Sequence, residues 1–251
     1  MRILSIIGLI FIASSCAFKT VEQTEDKILF VVSNASFYGN SDINTANHFA
    51  EIVFAYDEFI KAGFSVDFVS PKGGMIPVGY IYSDPLLQQY LYDGSFMDLL
   101  ETTKTPSQVD PKNYEAIFYA GGGAAMFGVP NNETLHQIAM DIYEKQNGVV
   151  SAVCHGTAGI ANIKKEDGSY LVAGKRINGF PDLFENKEGA YFQEFPFSIE
   201  EQVKKNGGVF KFSEEGWDAY MEVDGRVITG QDPTSSALVA KVVIRELQTN
   251  L

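Results

Sequence analysis

Residues 148–156, Gly-Val-Val-Ser-Ala-Val-Cys-His-Gly, constrain the fold of this chain more than any other segment. An apolar run rich in β-branched residues leads to Cys154, and a short helical pattern begins directly after it. Small residues stand two before and two after the cysteine, at Ala152 and Gly156. This spacing is typical of a nucleophile elbow, a sharp strand-to-helix turn whose flanking residues must be small. A cysteine simply packed at the end of a strand is the alternative.

The elbow predicts a reactive thiol. It would hold the sulfur of Cys154 at the tip of a sheet, where free backbone N–H groups of the following helix favour a thiolate. We therefore expect the pKa of this thiol to fall below the roughly 8.5 of free cysteine. His155, one of three histidines in the chain, is adjacent to the thiol and is a candidate base. A histidine at a helix start without a role is the alternative.

The rest of the chain alternates predicted strands and helices. Further apolar runs predict strands at 27–33, 64–69 and 114–119, and residues 220–229 predict a hairpin. Amphipathic patterns predict one helix that ends near residue 62, one that begins at 131–132 and one that begins at 234–235. The irregular residues 75–112 are predicted to be an insertion or lid. This order predicts a flavodoxin-like, doubly wound α/β fold, with a mainly parallel sheet and helices on both faces.

The N-terminus predicts export. After Arg2, an apolar run at 3–12 is too short for a membrane span of roughly 20 residues but suits a signal peptide. Small residues then precede Cys16, as in a bacterial lipobox, although ordinary signal cleavage nearby is an alternative. We therefore expect a signal peptide at 1–15, a lipidated tether at 16–26 and a single domain at 27–251. The expected location is the bacterial cell envelope, lipid-anchored to the membrane and facing the periplasm.

Charge and composition exclude several classes of function. The formal net charge of -13 argues against nucleic acid as a partner, because phosphate binding needs clustered Lys and Arg. The glycine run 121–123 lacks the following lysine and the spacing of a nucleotide-binding loop. The sequence also shows no Cys/His/Asp cluster at metal-ligand spacing. We therefore expect no metal and no cofactor. If Cys16 is acylated, Cys154 has no cysteine partner within the chain.

The elbow segment resembles the nucleophile motif of the ThiJ/PfpI superfamily, in particular its heat-shock-chaperone and glutathione-independent glyoxalase branch. The motif is Ala152-Val-Cys-His-Gly156 followed by Ala158-Gly159. Further stretches resemble the branch in the same order, over about residues 27–245: Ser70-Pro-Lys-Gly-Gly74, Tyr119-Ala-Gly-Gly122, Asp167-Gly-Ser-Tyr-Leu171, Ile177-Asn-Gly-Phe180 with Glu185, and Asp224-Gly-Arg-Val-Ile-Thr-Gly-Gln231. The chain departs from the branch at Gly123, where the branch has histidine, and at Thr157, where it has proline.

The resemblance implies a set of site residues. Cys154 matches the nucleophile, His155 the histidine beside it, and Glu185 the acid that orients this histidine. Glu51 matches a glutamate that hydrogen-bonds the sulfur, and burial there would raise its pKa. Without the resemblance, both glutamates would be read as surface acids, since Glu51 lies opposite the apolar stripe of its helix. The backbone N–H groups of Gly122 and His155 would form an oxyanion pocket.

The resemblance also implies an activity. It indicates an enzyme that converts small 2-oxoaldehydes, such as methylglyoxal, to hydroxy acids without glutathione. The Cys154 thiolate would add to the aldehyde, His155 or Glu51 would move a proton between the two carbons, and water would release the acid. An amidase or peptidase with the same Cys-His-Glu site is an alternative. A holdase chaperone or thiol redox sensor, in a stress response, is another. The oligomeric state stays open, with a homodimer as one option.

Overall fold

The computed structural model describes residues 26–249, and its elements alternate between strands and helices. The strands are β1 (Lys27–Val31), β2 (Asn47–His48), β3 (Ser65–Val69), β4 (Val78–Gly79), β5 (Ala116–Tyr119), β6 (Val149–Val153), β7 (Arg176–Ile177), β8 (Val209–Phe210), β9 (Met221–Asp224) and β10 (Val227–Gly230). The α-helices are α1 (Phe49–Lys61), α2 (Pro85–Leu91), α3 (Gly94–Glu101), α4 (Glu133–Met140), α5 (Ala158–Ala161), α6 (Ala190–Gln193), α7 (Ile199–Lys205) and α8 (Ser236–Thr249). The predicted signal peptide and Cys16 lie outside the described residues.

A six-stranded sheet in the order β3-β1-β5-β6-β10-β9 forms the centre of the molecule. The first five strands in this order run parallel, and β9 pairs antiparallel with β10 as the predicted hairpin. Short pairs, β2 with β4 and β7 with β8, lie outside this sheet. Parallel strands need crossover connections, which the helices supply.

Both faces of the sheet are buried. Alternate residues of β1 enter two separate cores, with Ile28 and Phe30 in one and Leu29 and Val31 in the other. The first core is closed by α1, α2, α3 and α8, and the second by α4, α5 and α7. A strand buried on both sides reads as a continuous apolar run, which is why the strands could be recognised in the sequence. The predicted doubly wound fold is confirmed.

The predicted lid packs against α1 and the outer edge of the sheet. Helices α2 and α3 both lie within this insertion. The hydroxyl of Tyr90 donates to Asp57 Oδ1 at 3.1 Å, and the rings of Tyr90 and Phe96 lie 4.8 Å apart. The same insertion contributes Tyr80 to the cavity described below.

The carboxyl ends of β5 and β6 determine where the site lies. These strands pair in parallel with Tyr119 opposite Ala152, so the loops that follow them leave the sheet side by side. One loop carries the glycine run 121–123 and the other carries Cys154. The carboxyl ends of parallel strands are the usual place for ligand sites in open α/β sheets.

Candidate active site

Cys154 lies on a strained turn directly after β6. Its backbone adopts φ +58°, a left-handed conformation that is uncommon outside glycine, and a 3₁₀ turn, Cys154–Thr157, leads into α5. Gly156 packs against the carbonyl group of Tyr119 so closely that any Cβ at position 156 would overlap it. The side chain of Cys154 is buried, with 3% of the residue exposed. The local geometry is that of a nucleophile elbow.

A histidine and a carboxylate extend from the thiol in a hydrogen-bonded chain. Nδ1 of His155 lies 3.3 Å from Cys154 Sγ, and its Nε2 lies 2.7 Å from Glu185 Oε1. The other oxygen of Glu185 accepts a hydrogen bond from the hydroxyl of Tyr191 at 3.0 Å. The ring of Phe180 stacks on the imidazole at 4.8 Å and holds its plane. This arrangement places a base beside a nucleophile and orients the base through a carboxylate.

Glu51 is fully buried beneath the thiol. Its Oε2 accepts the backbone N–H of Gly121 at 2.7 Å, while Oε1 has no hydrogen-bond partner within residues 26–249. Burial raises the pKa of Glu51 to about 8, and the nearby Cys154 thiol and the Gly121 N–H lower it by less. The prediction from helix periodicity alone, that Glu51 is exposed to solvent, is therefore wrong. The first turn of α1 points into the cleft at the edge of the sheet, and the loop after β5 covers it.

The pKa of Cys154 differs from the sequence-based expectation. Burial raises it well above its ordinary value, and the Glu51 carboxyl raises it further. The backbone N–H of His155 acts in the opposite direction but does not outweigh them. The prediction of a lowered thiol pKa was wrong because it considered only the helix N-terminus. It left out the burial of the thiol and the effect of the Glu51 carboxyl. Glu51 Oε1 makes no hydrogen bond within residues 26–249, yet the carboxyl and the thiol each shift the pKa of the other.

The glycine run forms the opposite side of the site. Gly122 adopts φ +90° and lies against the backbone of residues 46–48, where a Cβ would meet His48 N at 2.5 Å. Its backbone N–H has no hydrogen-bond partner among the described residues. Gly122 and His155 both line the cavity above the sulfur. The oxyanion pocket expected from these two backbone N–H groups stays a prediction.

The thiol opens into a cavity of about 200 Å³ with largely apolar walls. Its lining residues are His48, Tyr80, Gly122, Gly123, Cys154, His155, Phe180, Trp217 and Pro233. Reasoning from the sequence assigned no role to His48, Tyr80 or Trp217. A signal existed for His48, because it is one of three histidines and stands at the start of α1, three positions before Glu51. Tyr80 and Trp217 come from loops, whose placement no periodic pattern predicts.

The departures at Gly123 and Thr157 have structural reasons. A Cβ at position 123 would lie 2.6 Å from Thr45 Oγ1 and would overlap the Tyr38 hydroxyl, so a larger residue there would require both side chains to move. The buried hydroxyl of Thr157 donates to the carbonyl oxygen of Asn178 at 3.0 Å, a bond that proline could not make. Among residues 26–249, no group of three or more His, Cys, Asp or Glu side chains could hold a metal ion.

The fold and the site together define a doubly wound α/β protein with a cysteine-centred site at the carboxyl edge of its sheet. The chain belongs to the DJ-1/PfpI family, whose model matches residues 45–246, and this confirms the resemblance found in the sequence.

Individual relatives align along most of the chain. It is 29% identical to Glyoxalase 3 of Candida albicans over 242 residues, covering 89% of this chain and 99% of that protein. It is 31% identical to the glutathione-independent glyoxalase HSP31 of Saccharomyces cerevisiae over 222 residues, covering 84% and 93%. The crystal structure of the Rapid Encystment Protein REP24 of Francisella tularensis superposes with a TM-score of 0.82 at 30% identity, covering 88% and 99%.

The predicted location at a bacterial cell envelope is contradicted by the curated relatives. Curated relatives that align along most of this chain include glyoxalases of Candida albicans, Schizosaccharomyces pombe and Saccharomyces cerevisiae, yeasts whose cells have no such envelope. Within residues 26–249, no helix is long and apolar enough to cross a membrane. Because of these relatives, we do not retain the predicted lipid-anchored location.

Proposed function

We propose that this protein is a glutathione-independent glyoxalase, which converts 2-oxoaldehydes such as methylglyoxal to 2-hydroxy acids. The observation that carries the proposal is the hydrogen-bonded chain from Cys154 through His155 to Glu185, at the base of a small cavity. The names of the yeast relatives support the same activity.

The first step we propose is addition of the thiol to the aldehyde carbon. Nδ1 of His155 takes the thiol proton, and the charge of Glu185 stabilises the imidazolium. A bond forms between Sγ and the aldehyde carbon, and the aldehyde oxygen takes a proton from Glu51 to give a hemithioacetal. Glu51 suits this role because its pKa of about 8 keeps it largely protonated at neutral pH.

The second step transfers a proton between the two substrate carbons. The Glu51 carboxylate removes the proton from the former aldehyde carbon and returns it to the neighbouring carbon, while the hydroxyl proton moves to the second oxygen. The product is a thioester of Cys154. Water then adds to this thioester and gives a proton to Glu51. The thiolate leaves and recovers its proton from His155, so the hydroxy acid is released and the enzyme is restored.

The cavity favours this proposal over a peptidase. At about 200 Å³, it is smaller than the roughly 300–1,000 Å³ of typical sites for drug-sized ligands, and a peptide chain needs an open groove. A three-carbon aldehyde needs only a small enclosed space. Holdase activity, an alternative that the resemblance left open, and a homodimer, one option for the oligomeric state, stay predictions.

Lactate formation from methylglyoxal by the purified full chain tests the proposal. We expect turnover without added glutathione, and we expect Cys154→Ala to reduce it to the uncatalysed rate. Glu185→Gln should retain part of the activity, because it keeps a hydrogen bond to His155 but loses the charge. Absence of lactate from the wild-type protein would refute the proposed reaction. Hydrolysis of small amide or ester substrates in its place would favour the hydrolase.

A further inference from the structure

His48 supplies a second imidazole to the cavity, and its ring makes no hydrogen bond to any other described residue. Its side chain lines the same cavity as Cys154 and His155. Neither ring nitrogen has a hydrogen-bond partner among residues 26–249, and Nδ1 is buried from solvent. A buried polar group without a partner is costly, so such groups need an explanation.

The position of His48 is fixed from two sides. Its backbone N–H donates to the carbonyl oxygen of Gly121 at 3.0 Å, which joins it to the loop beside Cys154. Its ring lies parallel to that of Tyr80, with the centroids 4.7 Å apart and the planes at 2°. Tyr80 itself is held in a left-handed backbone conformation, and its hydroxyl is 3.3 Å from that of Tyr38. The imidazole is therefore held in place before any ligand binds.

The environment keeps this imidazole neutral. Burial, the larger cause, and the nearby His155 together lower the pKa of His48 to about 4. A neutral imidazole carries one donor and one acceptor, so it can both give and take a proton. Neutral histidines with a lowered pKa can polarise a substrate carbonyl in proton-transfer reactions.

We propose that His48 is a further catalytic residue, which contacts the second carbonyl oxygen of the 2-oxoaldehyde and carries the proton between the two substrate oxygens. The inference rests on the proposed glyoxalase reaction. In the isomerisation step, the imidazole gives its N–H proton to the ketone oxygen and regains a proton from the hydroxyl of the hemithioacetal. Its own charge is the same before and after, and no other reactant is needed.

Two substitutions at position 48 test the proposal, with methylglyoxal as substrate. His48→Phe keeps a ring that can stack on Tyr80 but removes both nitrogens, and His48→Gln keeps one donor and one acceptor. We expect His48→Phe to lower kcat by about 10²-fold, as for loss of one group that stabilises a developing oxyanion. KM should change by only a few-fold, and the rate of Cys154 alkylation by iodoacetamide should be unchanged. His48→Gln should recover part of kcat.

His136 supplies the matched control. It is also partly buried, and its Nε2 has no partner within residues 26–249, but it lines a different cavity. His136→Phe should leave kcat unchanged. A kcat of His48→Phe within about threefold of wild type would overturn the role of His48, as would a parallel loss of Cys154 alkylation. Absence of turnover by the wild-type protein would overturn the reaction and the role of His48 together. Thermal unfolding shows whether each variant is folded. If His48→Phe is not folded, the kcat of His48→Gln tests the proposal in its place.

Discussion

At the scale of single residues, the two glutamates of the site occupy different positions, so substituting them should have different effects on turnover and on the Cys154 thiol. The Glu185 carboxylate hydrogen-bonds to His155 and Tyr191, so Glu185→Gln should reduce turnover by about 10²-fold and leave the thiol titration in place. Glu51 is coupled to the sulfur itself. Glu51→Gln should abolish turnover and move the titration of Cys154 to lower pH, because the carboxyl that raises the thiol pKa is lost.

Alkylation of Cys154 by iodoacetamide as a function of pH measures both effects. Wild type, Glu51→Gln and Glu185→Gln are compared under the same conditions. If all three curves superimpose, Glu51 does not act on the sulfur and its proton-transfer role has to be abandoned.

His48 gives stability a dependence on pH. Its pKa is lowered from 6.5 to about 4 by burial and by the neighbouring His155. Between these two pKa values the unfolded chain binds more protons than the folded one. The free energy of unfolding therefore increases as the pH rises and decreases as the pH falls. The His48 share of the loss between pH 7 and pH 5 should be about 2 kcal/mol. Urea unfolding at the two pH values should show this extra loss in wild type and not in His48→Phe. Equal losses would contradict the lowered pKa.

At the scale of elements, the strand-to-helix turn after β6 depends on a glycine. A Cβ at position 156 would overlap the carbonyl group of Tyr119 at the end of β5. Gly156→Ala should therefore push the turn away from β5 and cost about 1–3 kcal/mol of unfolding free energy. Displacing Cys154 by about 1 Å should also lower turnover by about 10²-fold.

Denaturant unfolding and lactate assays measure the two effects. Gly94→Ala is the matched control, because Gly94 begins α3 and a Cβ there meets no atom within 4 Å. It should leave activity unchanged and alter stability by less than about 1 kcal/mol. A Gly156→Ala variant with normal turnover would show that the turn tolerates the extra atom.

The elements of the core were predictable from the sequence, and the electrostatics of the site were not. The buried strands β1, β5 and β6 appear as continuous apolar runs because helices cover both faces of the sheet. Helix periodicity assigned the core face of α1 but left Glu51 in solvent. A period of 3.6 residues describes one packing surface, whereas the first turn of α1 has a second one against the loop after β5.

At the scale of the whole molecule, the cavity wall is assembled from loops that are distant in sequence. Tyr80 comes from the insertion, Phe180 from the loop after β7, and Trp217 from the loop before β9. Trp217 packs against Phe184 with ring centroids 5.3 Å apart, and its backbone N–H donates to Asp232 Oδ2 at 2.8 Å. Contacts of this kind depend on the finished fold, which explains why the sequence indicated the nucleophile and not the pocket around it.

The aromatic wall predicts a preference among 2-oxoaldehydes. Phenylglyoxal can place its ring against Trp217 and Phe180, so its kcat/KM should exceed that of methylglyoxal. Trp217→Ala should reduce this preference about 3–10-fold, as expected for loss of one aromatic contact. Trp217→Phe should keep most of it. Steady-state kinetics with both substrates measure the ratio, and an equal fall for the two substrates would argue against contact with the substrate ring.

Trp217 is the one tryptophan in the sequence, and it lies in the wall of the cavity with 57% of its surface exposed. Its ultraviolet fluorescence therefore originates from a single place, a few ångströms from where the substrate would bind. A ligand that enters the cavity changes the polarity around the indole, so occupancy can be followed without any label. The intrinsic fluorescence of Trp217 therefore allows stopped-flow measurements that separate substrate binding from the chemical steps.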